Sequence, residues 1–573
     1  MSKIIKEKGG ILTFIICVMC GALCALPAIF NDLWILGWLA YIPVIIIEYL
    51  RAEDWDSPYR KAWTRGLAFF GAYGLVMFSW LWELYPMDFA GFSPLASIGV
   101  IILAWIGIPL LQAVLSAFNV VFLAFMRKKR AKLWLYPISA AFVWIFLEWT
   151  QTLTWAGIPW GKLALGQVAA LWNLQSASLF GSYFVSFLMI LVAGLIAIGI
   201  AAIYKAKRVK SGIVAIICAV GIFACNALGG VVALNANRES VGTISVALIQ
   251  ANITTQQKWF EDPEGSMEEH RKLVLDAAKE DVDLIILAET ALPFDLEMDE
   301  ELTMYVEKMA SDAETDLIIG CLYVDEATGK IYNATRYISA DDGLTDIVYE
   351  KQKLVPFGEY VPMRDLVATM LPFLTNINML ENDLSAGEKS NVFDLNIGNI
   401  GSLICFDSIY ENLAVQSVRT GAELIAISTN DCWFQDSSAV YQHNAHAILR
   451  SIETGRYVVR AANTGISSII TNRGEVVSSL DPLVCDYLDG DVKLFDYNTL
   501  YVSVGNVIIV VAALWMLAVG VALMFKGKGL KVGGKRLESK NDGADYNQQS
   551  DDKSQKPKTK KRKKKKKTKK SAS

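Results

Sequence analysis

Histidine is almost absent from this chain. There are three in 573 residues, and two of them, His443 and His446, stand close together. The nine cysteines show no C-x-x-C or C-x-x-H spacing, so no metal site is expected. They form no disulfide framework either. Cys17, Cys20, Cys24, Cys218 and Cys225 fall inside apolar runs, which leaves Cys321, Cys405, Cys432 and Cys485 elsewhere. Hydrophobic burial must therefore hold the globular part together. Charge is scarce as well: 20% of residues are charged against 53% hydrophobic, too apolar for an ordinary soluble enzyme. Positive charge is thinnest in residues 236–495, which carry 18 basic and 43 acidic side chains, a net of -25. Such a surface is a poor binder of nucleic acid, and no nucleic-acid partner is expected.

Long uncharged runs are what the chain has in abundance. Eight segments suit a bilayer-spanning helix: 11–30, 33–50, 66–85, 95–125, 133–150, 178–204, 212–235 and 501–525. The fourth is overlong, and a tilt or a bend at Pro109 is expected. The first lacks a small-x-small cleavage site and leads at once into another span, so it reads as a helix and not as a signal peptide. Basic residues alternate between the loops. Lys3, Lys6 and Lys8, then Arg51, Arg60, Lys61 and Arg65, then residues 127–132, 205–210 and the tail share one side, whereas loops 83–94 and 151–176 hold almost none. That alternation places both termini in the cytoplasm and the globular region outside.

The expected organisation is a seven-helix membrane domain (1–235), an extracytoplasmic domain (236–495), an eighth helix (500–525) and a tail (526–573). The tail has 19 basic and 5 acidic residues, leaving 35 and 53 in the rest of the chain. Its composition predicts disorder. The lysine run at 560–570 fits anionic lipid headgroups or nucleic acid, of which membrane electrostatics is the simpler account, or equally a solvated charge run with no dedicated partner. The loop at 150–178, with Trp155, Pro159, Trp160 and Trp172, reads as an interfacial aromatic belt or as a re-entrant segment shaping a lipid entry.

The outward region alternates strand-like and helix-like stretches. Strands are expected at 243–250, 282–289, 316–324, 331–338, 399–405, 423–428, 456–461 and 467–471, and helices at 266–279, 299–311, 409–420 and 439–454. Strands follow one another between 316 and 350, which fits two stacked sheets covered by helices better than one doubly wound sheet.

Three chemically distinct side chains stand out in this region. Cys405 ends an apolar run (400–404) just before Asp407 and Ser408, good helix-capping residues. A thiol there is expected to be exposed at the sheet edge, near a helix terminus that favours the thiolate. Glu289 ends another buried run, and Lys351 precedes Leu354-Val-Pro-Phe-Gly-Glu359. A carboxylate, an amine and a thiol are the parts for acyl transfer through a thioester.

The order Glu289, Lys351, Cys405 resembles the nitrilase (carbon–nitrogen hydrolase) superfamily. More narrowly, the chain is similar to the apolipoprotein N-acyltransferase family, which joins eight spans to an outward nitrilase domain. The matching stretches are Gln250-Ala-Asn-Ile253 with Lys258-Trp259, Glu289-Thr-Ala-Leu-Pro293, Tyr349-Glu-Lys351 with residues 354–362, and Ile404-Cys-Phe-Asp407. Further ones are Ser428-Thr-Asn-Asp431 with Trp433-Phe434, Gln442-His443, Arg456 and Asn463-Thr-Gly465. The resemblance implies an αββα sandwich beside a helical membrane bundle, covering residues 1 to about 525.

It also implies roles. Glu289 would be the general base, Cys405 the nucleophile and Lys351 the cation that stabilises the oxyanion. The family's Lys-x-x-Leu-Val-Pro spacing selects Lys351 over Lys353, which is expected to face solvent. Glu359 resembles a second essential carboxylate, and Trp259 a tryptophan near the site's mouth. Leu287-Ala288 replace a frequent Trp-Pro, and Phe406-Asp407 a frequent Tyr-Glu, so those two positions are assigned only a supporting or substrate-binding part. The implied reaction passes an acyl chain from a phospholipid to Cys405 and on to the amine of a diacylglyceryl lipoprotein, with no cofactor. A multi-pass monomer of the cell (inner) membrane is expected. A membrane-tethered amidase, and an inactive structural or transport protein, are the alternative functions.

Overall fold

The computed structural model describes residues 2–526 apart from 52–56, 88–90, 205–206, 299, 371–374, 376–382 and 390–391, together with 531–532 and 535–536. Residues 1–524 form one unit. In the second unit, Lys531–Val532 pairs antiparallel with Lys535–Arg536. The expected disorder of the tail and the lysine run at 560–570 lie outside the described residues.

Short runs rich in Ile, Leu and Val build two six-stranded sheets. The first has the order β12 (Asp486–Leu494), β1 (Gly242–Gln250), β2 (Leu284–Ile286), β3 (Asp316–Asp325), β4 (Lys330–Ser339), β5 (Gly343–Glu350). The second runs β11 (Val476–Ser479), β10 (Ser468–Ile470), β9 (Tyr457–Ala462), β8 (Leu424–Thr429), β7 (Gly398–Ile404), β6 (Val392–Leu395). Each sheet has a parallel centre (β1–β2–β3, β7–β8–β9) and antiparallel flanks. The expected strand at 282–289 is shorter than predicted, because the chain leaves the sheet after Ile286. The strands not anticipated, β5, β6, β11 and β12, lie at or near sheet edges, where a polar face hides the apolar signal.

Inward side chains of the two sheets share one core, among them Val246, Leu248, Ile286, Ile318, Ile400, Ile404, Leu424 and Val459. Thr335 Oγ1 meets Ser402 Oγ across this core at 2.8 Å, and Ser428 Oγ donates to Leu287 O at 2.8 Å. These bonds tie the first sheet to the second. Helices Pro263–Ala277 and Glu300–Ala313 cover the outer face of the first sheet.

The second sheet's outer face continues into the membrane helices through one apolar core. Helix Ser438–Thr454 lies between the two and is buried along nearly its whole length. Three of its polar side chains reach the stretch between helices Leu135–Thr150 and Ser182–Tyr204 or the first residue of the latter. Trp160 Nε1 donates to Gln442 Oε1 at 2.5 Å, His446 Nε2 lies 3.2 Å from Trp160 O, and Ser182 N donates to Glu453 Oε1 at 2.7 Å. The tryptophan-rich loop thus docks through Trp160 onto the globular domain, whereas Trp155 remains 39% exposed.

Among the described residues, six helices are long and apolar enough to cross a membrane: Gly10–Ala28, Asn31–Leu50, Pro94–Lys128, Ser182–Tyr204, Val209–Leu234 and Val507–Phe525. The expected spans at 66–85 and 133–150 differ from this set. The first becomes helix Pro58–Met77, started by a proline in its first turn and carrying Arg60, Lys61 and Arg65. The second is a shorter apolar helix, Leu135–Thr150. Arg65 is no loop charge: it is buried and pairs with Glu48. The overlong segment breaks at Ala117, between Pro94–Ser116 and Phe118–Lys128, and continues through Pro109. The proline ring is accommodated because it faces Gly74, where a Cβ would come within 2.7 Å of it.

Candidate active site

Three strand ends converge on one cluster. After β2, Leu287 N still donates to Ile318 O at 2.8 Å, and the chain then turns, with Thr290 at φ 46°. Gly320 of β3 makes that turn possible. A Cβ there would stand 2.2 Å from Ala288 O and 2.7 Å from Thr290 N. The turn places Glu289 in the interior at 6% exposure. Its Oε2 accepts from Asn430 N at 2.9 Å, and its Oε1 from Asn333 Nδ2 at 2.8 Å and Lys351 Nζ at 2.7 Å.

Lys351 follows β5 directly, fixed by its backbone N–H to Asn333 O at 2.8 Å. Its ammonium is 1% exposed and lies 2.7 Å from Glu289 and 3.0 Å from Glu359. Burial alone would lower its pKa, but the two carboxylates more than offset this and hold it well above the ordinary lysine value. Glu359 reaches the ammonium because its own loop folds around it, with Val355 N donating to Oε2 at 2.8 Å. Asn333 Nδ2 bridges the acids, 2.8 Å from Glu289 and 2.7 Å from Glu359.

Cys405 follows β7 at φ 48°, a left-handed conformation that costs a non-glycine residue about 1–3 kcal/mol. The expectation of an exposed thiolate at a helix terminus is corrected here. Cys405 is 9% exposed, in a single short turn (Cys405–Ile409), and the α-helix starts only at Glu411. A helix dipole acts within its first turn, so it does not reach the sulfur. Burial first, then Glu289, push the thiol well above its usual range, with Lys351 pulling the other way. The resting group is a neutral thiol, and its attack on a carbonyl needs a base beside it.

The remaining candidates surround this centre. Asp407 is fully buried, with Oδ2 accepting from Tyr349 OH at 2.8 Å and Oδ1 from Lys353 N at 2.7 Å. Burial raises its pKa to about 6, against the pull of Lys351. It ties the Cys405 turn to the Lys351 loop. Phe406 is buried against Tyr410, ring to ring at 5.6 Å. Lys353 is half-buried, its Nζ 5.1 Å over the Tyr410 ring, so it does not stand free in solvent as expected. Trp259 is half-buried in the turn Gln257–Glu261.

Sequence reading gave no role to Asn333, Asn430 or Lys258. Asn333 and Asn430 bond Glu289, and buried Lys258 donates to Thr290 Oγ1 at 3.0 Å. Cys405, Asp431 and His443 bring a thiol, a carboxylate and an imidazole within 4.8 Å of one another. Asp431 is already engaged by Arg460 at 2.6 Å and His443 at 2.9 Å, so the trio is a hydrogen-bonded network rather than an open ligand set.

Residues 20–195 match the apolipoprotein N-acyltransferase N-terminal domain, and residues 245–497 match the carbon–nitrogen hydrolases. The chain belongs to the apolipoprotein N-acyltransferase family. The apolipoprotein N-acyltransferase of Geobacter metallireducens is 29% identical over 531 residues, covering 90% of this chain and 96% of that protein. That of Gloeobacter violaceus is 25% identical over 497 residues, covering 86% and 89%. Both matched regions lie in the unit that holds the long apolar helices and the Glu289–Lys351–Cys405 cluster.

Proposed function

We propose that this protein transfers a fatty acyl chain from a membrane phospholipid to the α-amino group of the N-terminal S-diacylglyceryl cysteine of lipoproteins. The observation that supports this best is the Lys351 ammonium held between Glu289 and Glu359 beside the buried Cys405 thiol, in a domain whose helix layer packs on apolar helices.

In the first half-reaction Glu289 takes the thiol proton as Cys405 Sγ attacks the ester carbonyl. The oxyanion forms against Lys351 and collapses, the ester C–O bond breaks, and the proton passes to the departing lysophospholipid hydroxyl. In the second, the neutral amine of the acceptor attacks the thioester. Glu289 accepts its proton, the C–S bond breaks and the Cys405 thiol is restored, leaving an amide. Each step balances without metal or organic cofactor. Burial of the thiol between the two sheets favours the amine over water. Glu359 and Asn333 keep Lys351 and Glu289 in register, and Asp407 secures the Cys405 turn. Trp259 and Phe406 belong to the surrounding wall.

The same reading takes Pro58–Met77 and Leu135–Thr150 as the remaining two of eight spans. It puts the globular domain outside the cell membrane, both termini in the cytoplasm, and one chain in the working unit. The test is the intact mass of a diacylglyceryl lipopeptide after incubation with phospholipid and purified protein. A gain of one acyl group on the α-amine is expected, and an unchanged mass, or hydrolysis of a small amide instead, overturns the assignment.

A further inference from the structure

His443 lies in the interior at 1% exposure and takes no part in the steps above. Its Nε2 is 3.2 Å from the carbonyl oxygen of Cys405 and 3.1 Å from Ser408 Oγ. The Ser408 hydroxyl donates to that same carbonyl at 2.7 Å, so it turns a lone pair toward the ring. Both neighbours of Nε2 are thus acceptors, whereas Nδ1 has a donor beside it, Arg460 Nη2 at 3.1 Å, so Nε2 is the nitrogen placed to carry the hydrogen and donate to Cys405 O. The other nitrogen, Nδ1, stands 2.9 Å from Asp431 Oδ1. Asp431 is anchored in turn by Arg460 at 2.6 Å, and Gly465 leaves room for it, since a Cβ there would lie 2.1 Å from Oδ2. Burial would raise the Asp431 pKa, but Arg460 and then His443 hold it far below the usual range, which keeps a full negative charge behind the imidazole. The ring is closed in by Trp160 at 5.5 Å and Phe434 at 6.3 Å.

What this chain of bonds grips is the peptide carbonyl of a residue in a left-handed conformation, Cys405 at φ 48°. Such a turn persists only where its surroundings over-determine it. Two donors on one carbonyl supply that restraint.

We propose that His443 is a positioning residue for acyl transfer. Through its Nε2 hydrogen bond to the Cys405 carbonyl it holds the turn that keeps the thiol beside Glu289 and Lys351. The proposal rests on Cys405 being the acylated group.

Glutamine and asparagine at position 443 separate this role from others. A glutamine side-chain amide reaches where Nε2 is, whereas an asparagine amide reaches only where Nδ1 is and leaves the carbonyl without its second donor. In the full chain, with a tagged phospholipid, H443Q is expected to acylate Cys405 within a few-fold of wild type. H443N should lose about 100-fold in kcat with phospholipid KM unchanged, the cost of a misplaced nucleophile. Equal rates for H443N and wild type overturn the proposal. So does H443Q as slow as H443N, since the ring's proton chemistry rather than its hydrogen bond would then matter. Thermal unfolding is followed on the same samples. Should H443N not fold, Ser408→Ala removes the other donor, and a kcat loss without a KM change is expected; full activity of S408A overturns the proposal. Absence of any acyl group on wild-type Cys405 overturns the acyl-transfer reading itself, and this proposal with it.

Discussion

Lys162, in the segment between helices Leu135–Thr150 and Ser182–Tyr204, lies 2.5 Å from Glu411 at the start of a globular-domain helix, with both side chains almost wholly buried. Asn506, just before the last long apolar helix, bonds the other Glu411 oxygen at 3.2 Å. One carboxylate thus pins three parts of the fold that are far apart in sequence.

Removing that charge strands a buried ammonium. Glu411→Gln is expected to lower stability by about 3–5 kcal/mol, read as a fall in Tm of the purified protein. The pH dependence follows from the carboxyl itself. Burial would raise its pKa, but Lys162 and Arg450 bring it down to about 2 from the ordinary value of 4.5. A depressed carboxyl stabilises the fold fully above its unfolded pKa and loses that contribution as pH falls through the folded one. Wild type should therefore lose Tm between pH 4.5 and 2, and E411Q should lack this part of the slope. Parallel slopes for the two proteins refute the assignment.

The nucleophile and its cation are tested by acyl-enzyme formation. Cys405→Ser should give no hydroxylamine-sensitive label from a tagged phospholipid while still purifying as a folded membrane protein. Lys351→Ala should lower acylation about 100- to 1000-fold, the usual cost of one oxyanion donor. Lys353→Ala should keep most activity, because its Nζ rests over Tyr410 rather than on the carboxylates. A larger loss at Lys353 than at Lys351 reverses the assignment.

Asn333 offers a sharper electrostatic comparison. Its amide donates to both Glu289 and Glu359, so Asn333→Ala removes two hydrogen bonds, whereas Asn333→Asp sets a third carboxylate between two others. Activity should fall in both, at least about tenfold further in N333D than in N333A at neutral pH. N333D should recover relative to N333A as the pH is lowered and the added acid takes up a proton. A ratio of the two rates that does not change with pH argues against a charge effect.

Orientation is tested with a membrane-impermeant maleimide on a protein freed of its native cysteines. A single cysteine replacing exposed Glu326 should label in intact cells, or in spheroplasts where an outer membrane intervenes. One replacing exposed Lys210 should label only after lysis. The reverse pattern places the domain in the cytoplasm and removes the lipoprotein reading.

Chemistry that follows from residue type and strand position was legible in the sequence. The apolar runs ending near Glu289 and Cys405 marked strand ends, and the lack of helical spacing between 316 and 350 marked stacked sheets. Period and length are local properties, so a linear reading recovers them. Helix Pro58–Met77 was misplaced because its first turns carry Arg60, Lys61 and Arg65, which read as a loop. Arg65 is tolerated inside only because Glu48, distant in the chain, comes to meet it.

What the sequence carried by itself was most of the elements and the identity of the candidate reacting groups, since apolar periodicity and side-chain chemistry belong to each residue alone. Only the tertiary structure decided the environment of those groups. Cys405 reads locally as a helix-end thiolate. Packing between two sheets takes it out of water and sets it beside Glu289, and both effects favour the neutral thiol. Asn333, Asp431 and His443 gain their partners from strands and turns as many as 44 residues away. Desolvation and hydrogen bonding depend on what surrounds an atom in space, and the order of residues along the chain does not specify that.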